Sequence, residues 1–213
     1  MIIKSILAGS MVAVKAVSAF NITNSPKILP NGYTEVPFSM TGSIEPGGEA
    51  MTFTGPVNAV FDQIQKIKPG FTWKDFQSNV TVPSSDKTLS EPSKTIVKQL
   101  CNIPNFDHAN RFETLYGYDH LSLIDANCHV DAGPRKCSQV FCRTGSKIWM
   151  CNDNDTPLDF PCTKVAWPVL LFIGNMDCVE NGWLGPATWT QGQAFDDARW
   201  NVIVGSDGKD ADC

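Results

Sequence analysis

All eight cysteines of the 213-residue chain (Cys101, Cys128, Cys137, Cys142, Cys151, Cys162, Cys178 and Cys213) lie in its last 113 residues. An even set confined to one part of a chain that opens on a secretory leader points to four disulfides formed in an oxidising compartment. The leader is residues 1–19, with Lys4, an uncharged run over 5–14 and the small-residue ending Val17, Ser18 and Ala19. That run is shorter than the roughly 20 apolar residues of a membrane span, and no later stretch is long enough, so a secreted protein without a stable membrane anchor is expected. Zinc competes for the cysteines through Cys137-x4-Cys142 with His129 nearby. Oxidation of thiols during secretion and the lack of a Cys-x-x-Cys pair weigh against it, and no metal or cofactor is expected. The spacing does not choose among the many possible pairings.

Cutting after Ala19 removes Lys4 and Lys15 and leaves 15 basic against 22 acidic residues. No Lys/Arg cluster exceeds the pair Arg135 and Lys136, so the basic stripe that a nucleic acid requires is missing.

The cysteine-free residues 20–100 hold eight of the fourteen prolines and open on an irregular arm over 21–48. A short strand is expected over 51–54. Pro56 suits a first helical turn, and Val57, Val60, Phe61, Ile64 and Ile67 then recur at helical spacing until Pro69 and Gly70. A polar linker, 78–93, sets a boundary near residue 95, which gives three parts: leader 1–19, extension 20–95 and stapled core 96–213. Asn21 and Asn79 begin glycosylation sequons on the arm and linker; Asn154 begins a third, which Pro157 disfavours.

In the core, Ala109, Phe112, Tyr116, His120 or Leu121, and Ile124 mark one apolar helical face, weakened by Gly117. Runs 139–143 and 147–151 around Thr144, Gly145 and Ser146 read as a hairpin whose cysteines staple it to another element. Asp159 and Pro161 suit a helix start, and Val165, Val169, Phe172, Ile173 and Met176 give a wide apolar face that Pro168 should kink. A Gly- and Trp-rich loop, 179–192, leads to the strand 200–204. The order implies an α+β fold: a small antiparallel sheet with helices packed on one face, stapled by disulfides and preceded by the cysteine-free extension.

Certain blocks carry a resemblance: 137–142 (Cys-Ser-Gln-Val-Phe-Cys), 148–154 ending in Cys-Asn-Asp-Asn, Cys178, Gly192-Gln193-Ala194-Phe195, Trp200-Asn201-Val202-Ile203-Val204 and Cys213. They resemble a family of small secreted cysteine-rich fungal proteins, candidate effectors that mostly have no assigned activity. The match covers about residues 101–213, with weaker similarity over 52–73. The resemblance implies that Cys101, Cys137, Cys142, Cys151, Cys178 and Cys213 are the family's core cysteines and that Cys128 and Cys162 are an extra pair bonded to each other. In order of elements alone the chain is distantly similar to killer-toxin-like and necrosis-inducing extracellular effectors, from which no functional residue carries over.

Chemistry has one candidate constellation. His108, Arg111, Glu113 and His120 fall close together, with His129, Asp119 and Asp125 nearby, and would suit an extracellular hydrolase such as a nuclease. Solvated positions on an amphipathic helix account for them more simply, so no catalytic residue is assigned. The chain lacks a Gly-x-Ser-x-Gly elbow, a His-Glu-x-x-His pair, a phosphate loop and a dinucleotide fingerprint. Asn152, Asp153, Asn154 and Asp155 read as a strand-ending turn rather than a calcium loop, and Asp196 and Asp197 as loop solubilisers. Of six tryptophans, Trp149 and Trp200 belong to the core, whereas Trp183 and Trp189 sit in the loop, where an indole can stack on a sugar or anchor a protein contact, or fold back as a lid. The expectation is therefore a monomeric secreted effector that binds a host protein or cell-wall glycan. The rivals are the hydrolase and a membrane-acting toxin.

Overall fold

A computed structural model of the chain describes residues 28–78, 96–181 and 187–208. The expected leader, Asn21, Asn79, nearly all of the expected linker, Trp183 and Cys213 lie outside the described residues.

In chain order the elements are strands β1 (Ile28–Leu29), β2 (Tyr33–Val36), β3 (Ser39–Gly42) and β4 (Met51–Thr54), helices α1 (Val57–Ile67) and α2 (Asp75–Ser78), strands β5 (Ile96–Leu100) and β6 (Ala109–Asn110), and helix α3 (Arg111–Leu123). Strands β7 (Asn127–Val130), β8 (Lys136–Arg143), β9 (Ser146–Asn152) and β10 (Leu158–Pro161) follow, then helix α4 (Thr163–Gly174) and strands β11 (Val179–Asn181), β12 (Ala187–Thr190), β13 (Gly192–Asp196) and β14 (Trp200–Gly205). The fold is α+β and carries disulfides, as expected.

Seven strands form the main sheet in the order β1-β2-β8-β9-β14-β13-β5. All its neighbours are antiparallel except β2 and β8, so the sheet is larger than the small one expected and is mixed. Two antiparallel sheets flank it, β10-β7-β3-β4 and β11-β12-β6. Helices α3 and α4 pack on each other, α3 on β8 and β9, α4 on β14, and α1 on β8. Their apolar side chains, among them Ile64, Leu121, Val169 and Phe172, join Val140, Ile148, Met150, Val202 and Val204 in one core. The opposite face is covered as well. Leu29, Tyr33 and Ile103 close over Cys137, Trp149, Cys151 and Ile203, so β9 and β14 are buried along their whole length.

The arm expected to be irregular over 21–48 is so at 43–48 but not over 28–42. Residues 28–42 supply three strands: β2 adds to the main sheet on β8 and β3 pairs with β7. Phe38, Met40 and Phe53 join the same core as the cysteine-bearing elements, so the cysteine-free segment supplies part of that core's covering. Pro30 and Pro37, which suggested irregularity, stand between strands, where a missing N–H costs nothing.

Helix α1 and strand β4 fall where the periodicity puts them. Helix α3 is rotated from its expected face: Thr114, Gly117, His120 and Leu121 are buried, Phe112 and Tyr116 are exposed, and Ala109 belongs to β6. Gly117 is the cause, because it lets the helix backbone approach Phe141 and Ile148 closely. Asp159 and Pro161 lie in β10 and do not cap α4, which starts after Cys162 and runs through Pro168. Met176 is exposed in a single turn beyond it.

The disulfides join Cys101 to Cys178, Cys128 to Cys162 and Cys137 to Cys151, and Cys142 is also disulfide-bonded. The Cys128–Cys162 pair is the one the resemblance implies. Cys137 and Cys151 face each other in register across β8 and β9, so that bridge closes the hairpin on itself, while Cys142, with the hairpin's other two cysteines taken, staples it to a cysteine outside it, as expected.

Candidate functional site

Strand β12 lies between β11 and β6, and its last two side chains point opposite ways. Thr190 is buried, its hydroxyl donating to the carbonyls of Phe172 (3.1 Å) and Cys178 (3.0 Å). Trp189 therefore points outward and is 43% exposed, against 0% for Trp149 and 7% for Trp200. Its cross-strand partners are Glu180 on β11 and Asn110 on β6, which share its face of the sheet.

The polar groups around it follow from the hydrogen bonds. Asn110 caps α3, its Oδ1 accepting from the N–H groups of Phe112 (2.9 Å) and Glu113 (3.3 Å). Gln191, buried just past the end of β12, accepts from the Ile103 N–H at 3.1 Å through Oε1, so its amide nitrogen faces His108 Nε2 at 3.0 Å. An amide nitrogen only donates; Nε2 is the acceptor and the neutral imidazole carries its proton on Nδ1. Glu180 Oε1 lies 3.4 Å from that same nitrogen. Helix α3 packs against β12 and exposes Phe112, Leu115 and Tyr116 on its outer side.

The four residues of the hydrolase reading make their hydrogen bonds and ion pairs with other groups. His108 spends its lone pair on Gln191. Arg111 Nε donates to the Ile173 carbonyl at 3.1 Å, and Glu113 pairs with Arg143 at 3.1 Å. His120 is buried between Tyr116 and Trp73, with ring centroids 3.9 and 4.1 Å away, and its Nδ1 donates to the Tyr116 carbonyl at 2.6 Å. Burial holds its pKa below the ordinary value, with the Arg143 charge a smaller cause in the same direction, against the Tyr116 carbonyl and Asp119, which raise it. His129 stands apart on β7, 3.4 Å from Asp131.

Two turn assignments are refined. Asn152 accepts from the Asn154 N–H at 2.8 Å, the self-bonded turn expected of such a run. Asp196 is buried and accepts from the Ala198 N–H at 2.9 Å, so it shapes the β13–β14 turn rather than solubilising it. Asn154 Nδ2, the atom a glycan would take, donates to the carbonyls of Ala198 and Arg199, each at 3.0 Å. Among the described residues no group of three His, Cys, Asp or Glu side chains is placed to hold a metal ion, and no helix is long and apolar enough to cross a membrane.

The sequence singles out Trp189, which the structure leaves exposed, but not its cross-strand partners Glu180 and Asn110. Their association with the indole exists only in the register of β11, β12 and β6, and the single available signal was the Thr188-Trp189-Thr190 alternation inside a segment taken for a loop. No protein-family model, curated protein or solved structure matches the chain.

Proposed function

We propose that this protein is secreted, is of the fungal candidate-effector type, and acts by binding a host protein or cell-wall glycan through the surface centred on Trp189. The observation that carries the reading is the exposure of that one indole. A tryptophan on a strand of a disulfide-bonded protein ordinarily serves the core, as Trp149 and Trp200 do here, and leaving 43% of one in water costs apolar burial that a contact would recover. Its fixed backbone, hydrogen-bonded on both edges, presents the ring without ordering cost, which favours recognition. The disulfides, among them the Cys128–Cys162 pair, agree with passage through an oxidising compartment.

The test is retention of the purified oxidised protein on intact fungal and plant cell walls, compared with Trp189→Ala. Retention that falls at least about tenfold, with the circular dichroism spectrum unchanged, supports the reading; equal retention of the two proteins rejects it. The tenfold threshold corresponds to about 1.4 kcal/mol, within the range of an aromatic anchor.

A further inference from the structure

We propose that the ligand of the Trp189 surface is a neutral polysaccharide, one pyranose ring lying on the indole, an assignment that rests on the binding reading above. A sugar ring presents an apolar C–H face and a rim of hydroxyls, so its site needs a flat apolar platform with hydrogen-bonding groups just beyond the platform's edges. The three-stranded sheet supplies that arrangement. Trp189 is the platform, and its cross-strand neighbours on both sides are polar, Glu180 on β11 and Asn110 on β6. Directly opposite residues of an antiparallel pair stand about 5 Å apart at Cβ, a spacing that places each group beside a single ring resting on the indole.

The hydrogen-bond accounting leaves both neighbours with unused capacity. Glu180 Oε1 has His108 Nε2 at 3.4 Å, and that nitrogen also faces the Gln191 amide nitrogen at 3.0 Å. Glu180 is 58% exposed in its side chain, and beyond the His108 contact no described residue engages its carboxylate, whose second oxygen is open to accept from sugar hydroxyls. Asn110 uses its oxygen on the α3 cap, and its amide nitrogen donates to no described residue, which supplies a donor on the opposite flank. One acceptor and one donor astride an aromatic face match a hydroxyl rim, where each hydroxyl is both donor and acceptor. The polar cross-strand neighbours of Trp189 favour a hydroxyl-bearing ligand, whereas a protein partner would draw as well on the exposed Phe112, Leu115 and Tyr116 of α3. Acidic polysaccharides are disfavoured by the Glu180 charge and by the excess of acidic residues in the chain.

The experiment is a depletion assay of the full oxidised protein on insoluble chitin, cellulose, xylan and β-1,3-glucan, with polygalacturonate as the acidic control, using wild type, Trp189→Ala, Trp189→Phe and Glu180→Gln. Binding to at least one neutral polymer that falls about tenfold in Trp189→Ala, recovers in part in Trp189→Phe and falls about threefold in Glu180→Gln is the expected result. Binding led by polygalacturonate, or neutral-polymer binding unchanged in Trp189→Ala, overturns the assignment. Wild type held by intact walls through Trp189 but by none of the neutral polymers also overturns it, while leaving the binding surface in place. Loss of the Trp189 effect on intact walls as well brings down both.

Discussion

Tyr33 donates its phenolic proton to Asp153 Oδ2 at 2.8 Å across 120 positions of sequence. Asn201 Nδ2 donates to both atoms at 2.9 Å, Gln193 Nε2 donates to Asn201 Oδ1 at 2.8 Å, and Asn31 Nδ2 reaches Gln193 Oε1 at 2.7 Å. This chain of bonds ties the N-terminal strands to the centre of the main sheet. Tyr33→Phe leaves Asp153 and Asn201 each short of a partner and should cost about 1–3 kcal/mol in denaturant unfolding. Burial, then the hydrogen bond to Asp153 and its charge, raise the Tyr33 pKa well above the ordinary tyrosine value. The folded state thus keeps a proton that the unfolded state releases above about pH 10, so the contribution is whole below that pH and is lost as pH rises further. The stability gap between wild type and Tyr33→Phe should shrink above pH 10; a constant gap would mean that Tyr33 ionises as readily folded as unfolded.

Gly117 illustrates a conflict between local and tertiary preference. A Cβ there would lie 2.7 Å from Ile148 Cδ1 and Phe141 Cδ1. Gly117→Ala gains about 1 kcal/mol of helix propensity but incurs about 1–3 kcal/mol of overpacking, so the variant should be less stable by roughly 1 kcal/mol. A more stable variant would show that α3 shifts away from the sheet at little cost.

The same residue shows what the sequence could and could not convey. Elements whose pattern arises within a single segment were legible: the alternation and apolar spacing of β4, α1, the β8–β9 hairpin and β14 depend only on near neighbours. The facing of α3 was not, because a glycine that reads as a weak point in a helix is here the point of closest approach. The arm failed for a related reason. Its strands are two to four residues long, too short for alternation to register, and β2 and β3 are fixed by pairing with β8 and β7, about a hundred residues away. The site divided likewise: an indole in a Gly-rich segment can be picked out by residue type, but Glu180 and Asn110 became its flanks only through strand register.

The Cys128–Cys162 bridge is the covalent tie between β7 and the start of α4, with a sequence separation of 34. Closing a loop of that size restricts the unfolded chain by about 4 kcal/mol on the chain-entropy model. The double variant Cys128→Ala, Cys162→Ala should fold with its remaining bridges intact and melt roughly 10 °C lower, since about 1 kcal/mol moves Tm by a few degrees at this size. An unchanged melting temperature in calorimetry would show that β7 and α4 are held by packing alone.

Lys147 is buried within the main sheet, its side chain 0% exposed, and Nζ meets both Asp207 oxygens at 2.8 and 2.9 Å. Removing one partner takes a close counter-charge from the other in a buried site, so Asp207→Ala or Lys147→Met should destabilise by up to about 3–5 kcal/mol, whereas Lys147→Met with Asp207→Leu should recover most of that loss. Urea midpoints decide the matter. Single variants within about 0.5 kcal/mol of wild type would mean that water reaches the pair on truncation.

His120 predicts the behaviour in acid. Its Nδ1–H is committed to the Tyr116 carbonyl and its ring is enclosed by Tyr116 and Trp73, so a second proton would place a charge where little water reaches. With its pKa lowered chiefly by burial, the folded state refuses a proton that the unfolded state accepts below about pH 6.5. The stabilising contribution is therefore complete above that pH and declines as pH falls through it. His120→Gln, which cannot titrate, should show a shallower fall in urea midpoint between pH 7.5 and 5 than wild type does. Because Trp73 abuts His120 edge-on and stacks on Phe61 of α1, acid loosening in wild type should appear as a change in tryptophan emission that the variant lacks. Parallel pH profiles for the two proteins would mean that His120 accepts its proton without leaving the folded state's aromatic stack.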